Sequence, residues 1–411
     1  MGELSKGLNI DFGRFLNNLE VSSRIGRVHT TGLNRLALSD EDKEMRDIFI
    51  QYMKKLNLQI RVDDVGNIYG RKEGSEKLSP VLIGSHLDTQ PNGGRYDGIA
   101  GVLLGLEVIE TLIDNKIDTR RPIEIVNFTN EEGARFSPPM MASGLLSNAF
   151  TKEYIYSTKD KDNLSFGAEL ERIGYKGTKD NRIQDIHSYV EAHIEQGPIL
   201  ANEGLDIGIV TGIQGTSWLE INLIGDSNHA GTTPMEVRRD PMLAAAEIIY
   251  KLEGMADRKS VQLTIGKFNT DPGVPNVIPR EVNFTIDIRS NDDYLRKDFI
   301  NELNKIVKSV SDNKSVHWNI HELWESPLVK FDEGIINIIK SKSDELSYKS
   351  KHMLSGAGHD ARYISEIAPT AMIFMPSEAG ISHDIKEYTE DKYLNRCGNL
   401  LLHVVADLAN Q

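Results

Sequence analysis

The segment from 79 to 133 limits the fold more than any other part of the chain. "SPVLIGSHLDT" (79–89) and "RPIEIVNFTNEEG" (121–133) are apolar runs that end in polar residues, the pattern of strands buried on both faces. Between them, "DGIAGVLLGLEVIETLIDN" spaces Val102, Leu103, Leu106, Val108, Ile109 and Leu112 as a helix does. Strand, helix and strand in that order make an α/β unit, and the polar strand ends are where such folds place their sites. The second run ends in two adjacent glutamates, Glu131 and Glu132. Neighbouring side chains on a strand point to opposite faces, so one carboxylate can bind what the other acts upon.

With 411 residues the chain is long for one core and predicts two or three domains. Near 210 the pattern changes. "SWLEINLIGDS", "VQLTIGKFN" and "VNFTIDIRS" alternate like half-solvated strands, and "DPMLAAAEIIYKLEGMA" and "YLRKDFINELNKIVKSV" read as helices among them. From about 327 the chain returns to helix and strand and ends in a helix near "KYLNRCGNLLLHVVADLA". The expected organisation is an α/β domain with a mixed sheet formed by 1–211 and 327–411, interrupted by an inserted α+β domain at 212–326.

Charge and cysteine content narrow the chemistry. Forty-seven basic against 61 acidic residues leave a net charge of −14, which argues against a nucleic-acid or anionic-membrane surface and for a small-molecule partner. The opening "MGELSKGLNIDFGRFLNNLE" lacks the apolar run of a signal peptide, and no stretch of about 18 apolar residues occurs, so a cytoplasmic protein is expected. Cys397 is the sole cysteine, so a metal site has to use His, Asp and Glu. Four of the eleven histidines stand among Gly, Ser and acids, in "GSHLDT", "EAHIEQGP", "GDSNHAGTTP" and "SEAGISHDIKEY". Any one of them alone reads as an ordinary hydrogen-bonded histidine, but together they suggest ligands. Asp88 lies two residues past His86 on the same face, placed to accept the ring's other N–H. Asp97, in "GGRYDGIAG", stands at the mouth of the helix. Its glycines do not make a phosphate loop, because "GxGxxG" is absent and no Walker lysine follows.

"GSHLDT", "GGRYDGIAG", "NEEGARF", "EAHIEQGPIL", "GDSNHAGTTPM", "PGVPNVIP", "FTIDIR", "GAGHDA" and "MPSEAGISHD" occur in the order seen in a known family. The chain resembles the dinuclear-metal amidohydrolases that include N-carbamoyl-L-amino acid hydrolase, allantoate amidohydrolase and β-ureidopropionase, within the aminoacylase and carboxypeptidase clan. The match spans roughly 80 to 390. "EAHIEQGP" points to the carbamoyl branch, since the peptidase relatives typically carry a carboxylate at the position of its histidine.

The resemblance implies a metallopeptidase-like catalytic domain with an inserted lid and dimerisation domain, working as a homodimer. It implies two divalent ions per subunit, bridged by Asp97, with His86 and His193 on one and Glu132 and His383 on the other; zinc, manganese and cobalt all suit such ligands. It makes Glu131 the general base, His229 an oxyanion donor contributed from the neighbouring subunit, and Arg289 the clamp for a substrate carboxylate. Asn276 and Gln196 are implied helpers, and Gly358 and His359 walls of the substrate site. The implied reaction is hydrolysis of the carbamoyl C–N bond of N-carbamoyl-L-amino acids, "FSPPMMASG" favouring that branch. Allantoate hydrolysis, an aminoacylase or dipeptidase activity, and a metal-binding scaffold without catalysis stand as alternatives.

Overall fold

Val81–His86, Ile99–Asp114 and Ile123–Phe128 are the observed strand, helix and strand of a computed structural model that describes residues 7–411. Residues 1–6, part of the opening stretch considered above for a signal peptide, lie outside the described residues. Both strands are buried at every position, and the helix buries Val102, Leu103, Leu106, Val108, Ile109 and Leu112. Each such side chain taken from water contributes about 1.5–3 kcal/mol, so the apolar runs drive the layering of helix on sheet.

The chain divides into two compact units, Met1–Gly212 with Phe331–Gln411, and Ile213–Lys330. In the first, Thr370–Met375, Ser188–Ile194, Val81–His86 and Ile123–Phe128 lie side by side and parallel. Antiparallel strands flank them: Ile207–Ile213 beside Thr370–Met375, and Ile68–Lys72 then Gln59–Val62 beyond Ile123–Phe128. This mixed sheet brings the C-terminal ends of four parallel strands to one edge. His86 and His193 lie at two of those ends, while the chain leaving Phe128 and Met375 leads to Glu131, Glu132 and His383.

The second unit is an antiparallel sheet in the order Gln262–Asp271, Glu281–Ser290, Gly215–Ile224, His317–Ser326. Pro241–Lys259 and Asp293–Lys314 are its helices, each begun by an aspartate, Asp240 and Asp292, whose side chain accepts two main-chain N–H groups of the first turn. Alternate strand residues such as Val282, Phe284, Ile286 and Ile288 join Leu252, Phe299, Leu303 and Val307 in one core, as the period of two demands. Among the described residues no helix is long and apolar enough to cross a membrane.

Candidate metal centre

Two ligand sets meet at Asp97. The donor atoms of His86, Asp97 and His193 lie within 4.8 Å of one another, as do those of Asp97, Glu132 and His383. Asp97 Oδ1 is 3.1 Å from His193 Nε2 and 3.7 Å from His86 Nε2, whereas Oδ2 is 3.2 Å from His383 Nε2. Glu132 Oε2 lies 3.5 Å from His383 Nε2, and Glu131 Oε2 lies 3.5 Å from His86 Nε2. The two adjacent glutamates thus reach different sets.

They diverge for a reason other than the strand pleat expected from the sequence. The strand ends at Phe128, and both glutamates sit in the bend that follows. Asn130 takes a left-handed φ of 59° there, which an asparagine tolerates. The main-chain N–H groups of Glu131 and Glu132 donate to the two oxygens of Asp88, each at 3.3 Å. Buried Arg46, held by Asp42, donates to Thr129 Oγ1 at 3.1 Å and to the Gly66 carbonyl at 2.7 Å, tying the bend to the helix Asp40–Lys55.

Asp88 therefore acts on the bend more than on the histidine. His86 Nδ1 donates to the main-chain carbonyl of Asp88 at 2.9 Å, while the carboxylate expected to receive it stands 3.9 Å away. His193 Nδ1 likewise donates to the carbonyl of Ile194 at 2.9 Å. With Nδ1 of each ring committed to a carbonyl, both rings turn Nε2 towards Asp97, the arrangement of ligating histidines.

The electrostatics of the pocket also suit a cation. Burial, reinforced by Asp97, pushes Glu132 up to about 8. Burial, then Asp360 and Glu132, pushes Glu131 well above the carboxylate range. Burial works the same way on Asp97, but the hydrogen bonds and charges of His193 and His383 outweigh it and hold this carboxylate well below its ordinary value. Burial lowers His86 to about 4, keeping the ring neutral. Among the described residues, the ion-pair partners of Asp97, Glu131 and Glu132 are histidines alone. Concentrated buried carboxylate facing the Nε2 atoms of three histidines is a donor set that fits divalent metal ions.

Three implied substrate residues of this unit fall into that network in ways their type alone does not foretell. Gln196, at a φ of 57°, donates from Nε2 to Asp97 Oδ2 at 2.7 Å. His359 is 1% exposed, sits edge-on to His193 with centroids 4.4 Å apart, and shares a 3.0 Å hydrogen bond with Ser355 Oγ. It lies buried against the His193 ring. Gly358 packs against the Met140 side chain.

In the second unit, Asn228–His229 pairs with Val277–Ile278, bringing His229 and Asn276 into neighbouring segments. His229 is exposed, and its Nδ1 accepts the N–H groups of Gly231 and Thr232 at 3.0 and 3.2 Å. Its proton therefore sits on Nε2, leaving that nitrogen a donor. Arg289 forms an ion pair with Asp287 at 2.8 Å on the same strand face.

Sequence reasoning missed Glu387 and Ser382. Glu387 accepts the main-chain N–H groups of Tyr96 and Asp97 at 3.0 and 3.1 Å, and Ser382 donates to it at 2.9 Å. Their segment carries His383, but what marks them is contact with residues about 290 positions away, which no spacing reveals.

The model of the peptidase family M20/M25/M40 matches residues 82–407. The chain is 37% identical over 403 residues to an N-carbamoyl-L-amino-acid amidohydrolase of Rhizobium meliloti, covering 97% of each chain. It is 34% identical to the allantoate amidohydrolase of Bacillus subtilis (strain 168), covering 92% of each. A crystal structure of an amidase of the hydantoinase/carbamoylase family from Burkholderia multivorans superposes with a TM-score of 0.92 at 38% identity, covering 98% of this chain and 99% of that one. The chain belongs to the peptidase family M20/M25/M40 and, within it, to the amidohydrolases that include the carbamoylases and allantoate amidohydrolase, and it is a hydrolase.

Proposed function

We propose that this protein hydrolyses the carbamoyl C–N bond of N-carbamoyl-L-amino acids with two divalent ions held by His86, His193, Asp97, Glu132 and His383. The observation that carries this reading is Asp97, one carboxylate oxygen of which faces each ligand set. Bound there, the ions supply Lewis acidity and lower the pKa of a water; zinc is the first choice and manganese or cobalt the others. Glu131, beside His86, takes a proton from the attacking water. The water oxygen adds to the ureido carbon, and the bond to the terminal nitrogen breaks as Glu131 returns the proton to it. Ammonia leaves, and the remaining carbamate loses carbon dioxide to give the amino acid. Burial and neighbouring carboxylates raise the proton affinity of Glu131, which suits a group that takes a proton from the attacking water.

The second unit completes the reading as lid and dimerisation domain, with the protein acting as a homodimer. Arg289, with Asn276, grips the substrate carboxylate, for which Asp287 is the resident competitor. The outward Nε2–H of His229 stabilises the oxyanion, each subunit's His229 serving the other's site. Allantoate is the second reading, favoured by the 34% identity to the Bacillus subtilis enzyme, because it too sets a carboxylate beside a ureido group.

Turnover of N-carbamoyl-L-amino acids, their D-enantiomers, allantoate, N-acyl amino acids and dipeptides, with zinc, manganese and cobalt restored in turn, tests the assignment. Ammonia release from the L-carbamoyl compounds is expected. Faster turnover of allantoate would replace the substrate, and silence towards every compound with each metal would favour a non-catalytic scaffold.

A further inference from the structure

We propose that Glu387 is a positioning residue that locks the Asp97 loop to the His383 loop and so sets the affinity of the ion held by Asp97, Glu132 and His383, which rests on the two-ion reading above. The two sets are built differently. His86 and His193 stand on strands and are each 1% exposed. His383 lies in a loop with a left-handed φ of 56°, and its side chain is 48% exposed, so packing alone does not hold it. Something else has to place this ring against Asp97.

Glu387 occupies that position. It is 4% exposed, and one of its oxygens accepts the N–H groups of both Tyr96 and Asp97, at 3.0 and 3.1 Å. The other accepts the hydroxyl of Ser382 at 2.9 Å, and Ser382 immediately precedes His383. The Ser382 oxygen is itself 3.2 Å from Asp97 Oδ2 and 3.3 Å from Gln196 Nε2. A single carboxylate thus gathers the main chain of one ligand and the neighbour of another, through hydrogen bonds strengthened by its charge.

Gly94 gives independent support. A Cβ built on it falls 2.0 Å from Glu387 Oε1 and 2.1 Å from its carboxyl carbon. The second glycine of "GGRYD" leaves the space into which the carboxylate inserts, so an alanine there displaces Glu387 without removing it.

The test uses the full chain loaded with Mn²⁺, dialysed against graded chelator and assayed for bound metal by elemental analysis, with near-UV circular dichroism as the check of fold. Glu387→Ala and Gly94→Ala are expected to release the weaker ion at roughly 10–100-fold lower chelator strength while keeping the tighter one. Glu387→Gln keeps an oxygen for the two amides and turns an NH2 group towards Ser382, so most of the retention should return. Folded Gly94→Ala and Glu387→Ala with wild-type release curves for both ions would overturn the proposal; if Glu387→Ala does not fold, a wild-type curve from Gly94→Ala is sufficient to do so. A wild type that itself holds fewer than two ions would remove the two-ion reading, and this proposal with it, a result distinct from two firmly held ions that ignore the substitutions.

Discussion

Asp88 Oδ1 accepts the main-chain N–H of Glu131 at 3.3 Å, from a position two residues past His86. The other oxygen of Asp88 takes the N–H of Glu132. The loops that follow two adjacent parallel strands are therefore joined through one buried carboxylate, and both glutamate side chains remain available to the site. Asp88 supports the glutamates while its main-chain carbonyl orients the histidine.

A division of labour within the pair follows from this geometry. Glu131→Gln should keep its metal and fold while losing turnover by about 100-fold or more, the scale of a lost general base. Glu132→Gln should instead weaken one ion. Steady-state kinetics with elemental analysis of the same samples separates the two, and a wild-type rate in Glu131→Gln would refute the role given to it.

Metal content is the second expectation. Purified protein reconstituted with zinc or manganese should carry two ions per chain, and His86→Ala or His383→Ala should each lower that number. Absence of stoichiometric metal after reconstitution would leave the clustered donors without a ligand.

Gly98 offers a third test, at a position that supplies no side chain of its own to the site. It caps the helix Ile99–Asp114 at a φ of 64°, and a Cβ there would lie 2.3 Å from the His86 imidazole. Gly98→Ala should cost about 1–3 kcal/mol in backbone strain and also shift His86, lowering metal retention. Chemical denaturation and metal analysis read the two effects, and a variant with wild-type values of both would contradict the crowding.

Asp63 predicts a pH dependence remote from the metals. Burial, only partly offset by hydrogen bonds from Val65, Tyr69 and Asn67, pushes this carboxyl up to about 6 from 3.8. The folded chain binds the proton more tightly than the unfolded chain, so the stability this group contributes is fully present below about pH 4. It is lost as the pH rises through 6, a change on the order of 3 kcal/mol. Relative to Asp63→Asn, wild type should therefore lose stability between about pH 4 and 7 in denaturant titrations. Parallel pH profiles for the two proteins would show that Asp63 does not titrate in that range.

Local pattern alone made several elements legible. The apolar stretches within 79–89 and 121–133 read as buried strands and form them at Val81–His86 and Ile123–Phe128, and the spacing of Val102 to Leu112 admits a helix against them. The alternation in "VNFTIDIRS" likewise appears as a strand buried at every second residue. Motif order, through the family resemblance it carries, also singled out His86, Asp97, His193, Glu132 and His383 as candidate ligands, and the structure clusters their donor atoms around Asp97.

Other features depended on contacts between distant parts of the chain. Glu131 and Glu132 diverge through a left-handed Asn130 and the reach of Asp88, not through the alternation of a strand. His359 lies behind His193, and Gln196 donates to Asp97, because several segments converge at one edge of the sheet. Glu387 meets Asp97 across about 290 residues, and neither its type nor its spacing marks it. Periodicity reports the solvent and core on either side of a residue, so it determines elements and their buried faces; hydrogen-bond partners are chosen only when tertiary packing brings loops together, and in this protein that packing decided how the candidate ligands are held.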